Sequence, residues 1–131
     1  MMTEPEMKQR TKAFALRALT LVDSLPETRS GRVLANQLGR SGTSVAANYR
    51  SACRSRSTAE MISKFAVVEE EADESGFWME LIGDHGLMPV AKLAPLLREA
   101  SELTAIMVAS RRTLQARVRK SKIENLKSKF Q

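Results

Sequence analysis

Arginine supplies the most conspicuous chemistry in this sequence. Arg29, Arg32, Arg40, Arg50 and Arg54, laid out at 100° per residue, share a helical arc of about 80°, with Arg56 just behind it. Arg111, Arg112, Arg117, Arg119, Lys120 and Lys122 form a second basic cluster. Guanidinium groups stay charged and meet phosphate oxygens bidentately, so both clusters are candidate nucleic-acid contacts. Phosphate contacts give affinity without reading sequence. Aromatic content is only 5%, which leaves little for a platform that stacks unpaired bases. Two other uses of such a face compete: a solvated surface, or pairing with carboxylates of a protein partner or a second subunit.

Other chemistry is thinner. Glu69-Glu70-Glu71-Ala72-Asp73-Glu74 is an acidic run, and Glu69, Asp73 and Glu80 fall within about 40° of one another beside an apolar stripe. Dinuclear metal sites in helical bundles need Glu plus Glu-x-x-His patterns, whereas His85 is the one histidine and falls in a turn. Glu69 and Asp73 are therefore expected to be structural, paired with arginines. Cys53 has Arg50, Arg54 and Arg56 nearby, a setting that can lower a thiol pKa, but no second catalytic group accompanies it. Packing at a helix end is its expected role. No enzyme activity, metal or cofactor is expected.

The elements that carry these residues are all helical in period. Met7, Thr11, Phe14, Ala18, Leu21 and Leu25 mark a first helix over about 6–24, closed by Pro26. Leu34, Leu38, Ser41, Val45, Tyr49 and Ala52 form the core stripe of a second, over about 28–53, opposite the arginines. Gly39 and Gly42 mean either close helix approach or a break. Ser57 and Glu60 match a capping box that opens a third helix, running to about 82. Gly83, Gly86 and Pro89 mark a turn, and a fourth helix starts near 91 and continues to about 120. The fold expected is all-α: an antiparallel up-down four-helix bundle over 1–120, then a basic, flexible tail over 121–131. Phe77, Trp78, Leu81 and Ile82 point around much of the third helix and predict a subunit interface.

Length and charge are consistent with this. The chain has 131 residues, enough for one buried core. Its single cysteine excludes an internal disulfide, and no apolar run reaches membrane-spanning length, so a reduced, cytoplasmic protein without a membrane partner is expected. The net charge of +6 is uneven. Residues 1–56 hold 10 basic and 4 acidic side chains, residues 57–110 hold 3 and 10, and residues 111–131 hold 8 and 1.

The segment from Gln37 through Arg40-Ser41-Gly42-Thr43-Ser44-Val45-Ala46-Ala47-Asn48-Tyr49-Arg50 resembles a known signature. It continues through Arg54-Ser55-Arg56-Ser57, Ala59-Glu60-Met61-Ile62 and Phe65 to Glu70–Ser75 and Phe77–Ile82. Together these are similar to the bacterial four-helix bundle family of 23S rRNA intervening-sequence proteins. Its superfamily includes the accessory variability protein of diversity-generating retroelements. The resemblance implies an up-down bundle, a ring-like homopentamer, and a basic surface that meets RNA or DNA, a reverse transcriptase or another protein. Asn48 matches the family's asparagine and implies a buried anchoring residue. Arg50-Ser51-Ala52 departs from the Ala-Glu-Gly that many members carry, so no local role transfers there. The alternative function is a protein-interaction scaffold with no direct nucleic-acid role.

Overall fold

A computed structural model describes residues 2–130. Met1 and Gln131, the outer bounds of the expected bundle and tail, lie outside the described residues. Four helices follow one another: α1 (Glu4–Asp23), α2 (Arg29–Ala52), α3 (Thr58–Asp84) and α4 (Val90–Lys129). Short turns over 24–28, 53–57 and 85–89 reverse the chain each time, and each helix packs mainly on its sequence neighbours. The result is the expected all-α, up-down four-helix bundle.

The helix starts follow from capping chemistry. The hydroxyls of Thr3, Thr28 and Ser57 accept the backbone N–H groups of Glu6, Gly31 and Glu60. The capping box is present with one change: Glu60 Oε2 accepts from the Arg56 amide at 3.2 Å, one residue earlier than the pattern specifies. Past the end of α3 lies Gly86, whose φ of +74° suits a residue without Cβ. There the Leu87 amide reaches back to the Ile82 carbonyl at 3.0 Å, closing a Schellman turn.

Helix α2 is unbroken at Gly39 and Gly42, which excludes the break, and close approach holds at Gly42 but not at Gly39. A Cβ on Gly42 would lie 2.7 Å from the Cβ of Ala18, so the missing side chain sets the α1–α2 separation. The core joins Phe14, Leu38, Val45, Val68, Met79, Ile82, Leu93, Leu103 and Met107 from all four helices. Burying one such large side chain contributes about 1.5–3 kcal/mol. Ser41 and Ser75 are also fully buried and bond to each other.

Two expectations are corrected. Helix α4 runs to Lys129 rather than to about 120, because residues 115–129 contain neither Gly nor Pro and are rich in good helix formers. Its last turns are exposed throughout. Ile82, expected at a subunit interface, has no exposed surface and belongs to the core. No helix among the described residues is long and apolar enough to cross a membrane.

Contact between α1 and α4 is much sparser than along the other three seams. One arginine bridges it. Arg10 Nε donates to Glu99 Oε2 at 2.8 Å, and its Nη2 donates to Glu99 Oε1 and Glu102 Oε2, both at 2.7 Å. This fork holds the Glu99 carboxyl below its usual pKa and raises the arginine's own.

Candidate functional site

Arg29, Arg32, Arg40, Arg50, Arg54 and Arg56 are all exposed. Among the described residues none of them forms an ion pair within 4.0 Å. Their contacts are local and weak: Arg40 reaches Gln37 Oε1 at 3.3 Å, and Arg32 reaches the Glu27 carbonyl at 3.4 Å. Arg40 also lies in the field of Glu71. Burial outweighs that field, and with Glu74 nearby it pushes the Glu71 carboxyl upward. Asn36, Thr43 and Ala47 fall between the arginines on the same arc, so short uncharged side chains separate the cations. The ridge rises from the face opposite the buried Leu34, Leu38 and Val45.

In the second cluster, Arg112, Arg117, Arg119, Lys120 and Lys122 are exposed. Arg111 is not free: its Nε donates to Glu69 Oε1 at 3.0 Å, tying α4 to α3. Glu69 thus pairs with an arginine of a neighbouring helix. Asp73 is exposed and without a hydrogen bond among the described residues, so it does not share that role. Asn48 is only half-buried and donates to the Ser44 carbonyl at 2.9 Å in its own helix; it anchors a turn rather than a neighbouring element.

The alternating chain direction brings the two clusters together. The C-terminal ends of α2 and α4 and the N-terminal ends of α1 and α3 share one end of the bundle. Arg50, Arg54 and Arg56 therefore stand at the same end as residues 112–129 of α4. Two α1 lysines join them. Lys8 and Lys12 face Arg50 and Arg54 across a cleft of about 650 Å3 floored by Thr43, Ala46 and Ala47. These lysines and Arg10 carry no local sequence signal for such roles. The i,i+4 spacing of Lys8 and Lys12 was visible, but nothing local says which neighbour a helix flank will meet.

The opposite face carries the other sign. Between α3 and α4, Asp73 and Glu80 border a cleft of about 380 Å3 floored by Ala72, Gly76 and Ala100, with Phe77 on its edge. Among the described residues no three His, Cys, Asp or Glu side chains converge to hold a metal ion. Cys53 packs at the end of α2, where burial pushes its thiol pKa up, opposite to the activation its arginine neighbours suggested. His85 caps the far end of α3 and cannot reach it.

Of the four expected interface residues, Phe77 is 49% exposed, and its ring centroid lies 5.2 Å from that of Trp78. Trp78 and Leu81 are half-buried against the core.

A family model described as "23S rRNA-intervening sequence protein" matches residues 3–109. The fold is similar to a crystal structure of a protein of unknown function from the S23 ribosomal protein family of Bacteroides thetaiotaomicron. The two share 26% identity and a TM-score of 0.78, over 85% of this chain and 99% of that one. No curated protein matches the chain.

Proposed function

The chain belongs to the 23S rRNA-intervening sequence protein family, and from that premise we propose a non-enzymatic, self-associating bundle that binds structured RNA or DNA through phosphate contacts. The observation that carries this reading is the exposed arginine ridge of α2, free of carboxylate partners among the described residues. The acidic third helix takes up Arg111 and leaves the ridge available. The exposed cations of α4 extend the same field at one end of the bundle. With few aromatics to stack bases and cations that meet phosphates rather than base edges, binding is expected to be insensitive to sequence.

Titrating binding to a nucleic-acid duplex against salt tests the proposal. Affinity should fall steeply, with a log–log slope of about −0.9 per phosphate neutralised. Absence of binding at low salt would refute it. Self-association is supported by Phe77, exposed beside Trp78 on the outer surface of α3. Sedimentation should show an oligomer that Phe77→Asp dissociates; a monomeric native protein would refute that part.

A further inference from the structure

We propose that the cleft between α1 and α2, walled by Lys8, Lys12, Arg50 and Arg54, is a seat for the sugar–phosphate backbone of a double-stranded nucleic acid. The inference rests on the nucleic-acid reading above and assigns its principal site, adding two lysines to the arginine ridge.

Three features select this ligand. The walls bring four cations from α1, α2 and the turn after α2 around one cleft, and no carboxylate lines it. Glu4 stands beside it, its Oε1 meeting Lys8 Nζ at 3.4 Å in an exposed i,i+4 pair. Such pairs contribute little, so a phosphate can displace it. The floor is made of Ala46, Ala47 and Thr43. The Thr43 hydroxyl is already committed to the Gly39 carbonyl at 2.7 Å, so the floor offers mainly methyl groups. A backbone strand can settle there with sugar edges on methyls and phosphates between the cations.

The third feature is the lack of an aromatic in the lining. Tyr49, the aromatic of α2, is buried and stacked on Phe65 at 6.0 Å. Unpaired bases would find nothing to stack on, whereas a duplex keeps its bases stacked internally and offers only backbone. The cleft also lies at the end of the bundle that carries the exposed cations of α4, so a duplex seated there remains within the positive field.

A second copy of the chain is the competing occupant, through the acidic α3–α4 cleft. Two observations disfavour it. That cleft offers Asp73 and Glu80 against four cations. The heights also differ: the acidic cleft centres near Gly76, level with the Ser41–Ser75 contact, whereas the basic one centres about 12 Å further along the axis. Copies packed side by side at equal height would bring the two together only at their edges.

The experiment compares Lys8→Gln/Lys12→Gln, Ala47→Leu, Arg29→Gln/Arg32→Gln and Lys92→Gln for binding to a mixed-sequence duplex at low salt. All these positions are exposed, so folding should survive, and circular dichroism confirms it. The lysine pair variant should lose about tenfold or more in affinity, with the salt slope shallower by about 2. Ala47→Leu, which fills the floor without changing charge, should lose several-fold. Lys92→Gln, at the far end, should bind as the native protein does. Single strands of equal length should bind more weakly than the duplex.

If Lys8→Gln/Lys12→Gln and Ala47→Leu bind normally while Arg29→Gln/Arg32→Gln weakens, the cleft is refuted and the broader reading stands. If those cleft variants dissociate an oligomer without losing duplex, the cleft is a subunit contact and the inference is also refuted. If the native protein binds no duplex, the broader reading fails, and the cleft assignment fails with it.

Discussion

Ser41 Oγ and Ser75 Oγ share a hydrogen bond of 2.9 Å inside the buried seam between α2 and α3. Ser75 Oγ also lies 2.8 Å from the Glu71 carbonyl, and Ser41 Oγ lies 3.4 Å from that of Leu38. Both hydroxyls are therefore satisfied within a seam whose other buried side chains are apolar. Ser41→Ala should cost about 1 kcal/mol in urea denaturation. The double variant Ser41→Ala/Ser75→Ala should cost less than the sum of the singles, with a coupling of roughly 0.5–1 kcal/mol. Strict additivity would show that the pair does not act as a unit.

Arg10 should be the most consequential exposed-side cation for stability. Arg10→Met removes the fork and leaves Glu99 and Glu102 facing one another, at a cost of about 1.5–3 kcal/mol. The pH dependence has a definite sign. The fork lowers the folded pKa of Glu99 below its unfolded value of about 4.3, so its stabilisation is complete above that value and fades as pH falls through the folded one. In Arg10→Met this acid-side loss should disappear from thermal melts.

Glu71 should behave in the opposite sense. Its Oε2 is buried without a partner among the described residues, and desolvation raises the folded pKa above the unfolded value. The ionised group therefore destabilises the fold at neutral pH, and protonation relieves the penalty as pH falls. Glu71→Gln should match or exceed the native melting temperature at pH 7 and lose that advantage near pH 4. A variant less stable than native at pH 7 would contradict the assignment.

The two glycines of α2 should part ways. Gly42→Ala places a methyl 2.7 Å from the Cβ of Ala18 and should cost about 1–3 kcal/mol as α1 is pushed away. At Gly39 the nearest atom to an added Cβ is Val22 Cγ2, at 3.9 Å. Gly39→Ala should therefore stabilise by about 0.5–1 kcal/mol through helix propensity alone. Equal effects in denaturant titrations would argue that the α1–α2 seam is not closely packed.

Much of the bundle was legible because its signals are local and repeated. The stripe through Leu34, Leu38, Ser41, Val45 and Tyr49 placed both the core face and the arginines opposite it. Ser57 and Gly86 marked helix ends through backbone chemistry that acts within a few residues. Ile82 misled because the residues around Phe77 are apolar on several sides, and period alone does not say which side a neighbour covers. Lys8, Lys12 and Arg10 are silent in the sequence for a related reason. Their significance comes from residues 38 to 92 positions away, and pairing across helices leaves no trace in local spacing. The α4 extension escaped because weak amphipathicity signals the absence of packing, which a continuous helix does not require.

The shared end of the bundle has one more consequence, for motion before contact. Backbone dipoles of alternating helices largely cancel, so the molecule's own dipole moment comes from its side chains. Cations gather around residues 8–12, 50–56 and 112–129, and carboxylates along the middle and far part of α3, so the moment lies roughly along the long axis. A polyanion would exert a torque on such a molecule at about a Debye length, about 10 Å at 0.1 M salt, and turn the cationic end forward before any side chain touches. Encounters would then begin in one preferred orientation, and added salt would slow association as well as weaken the complex.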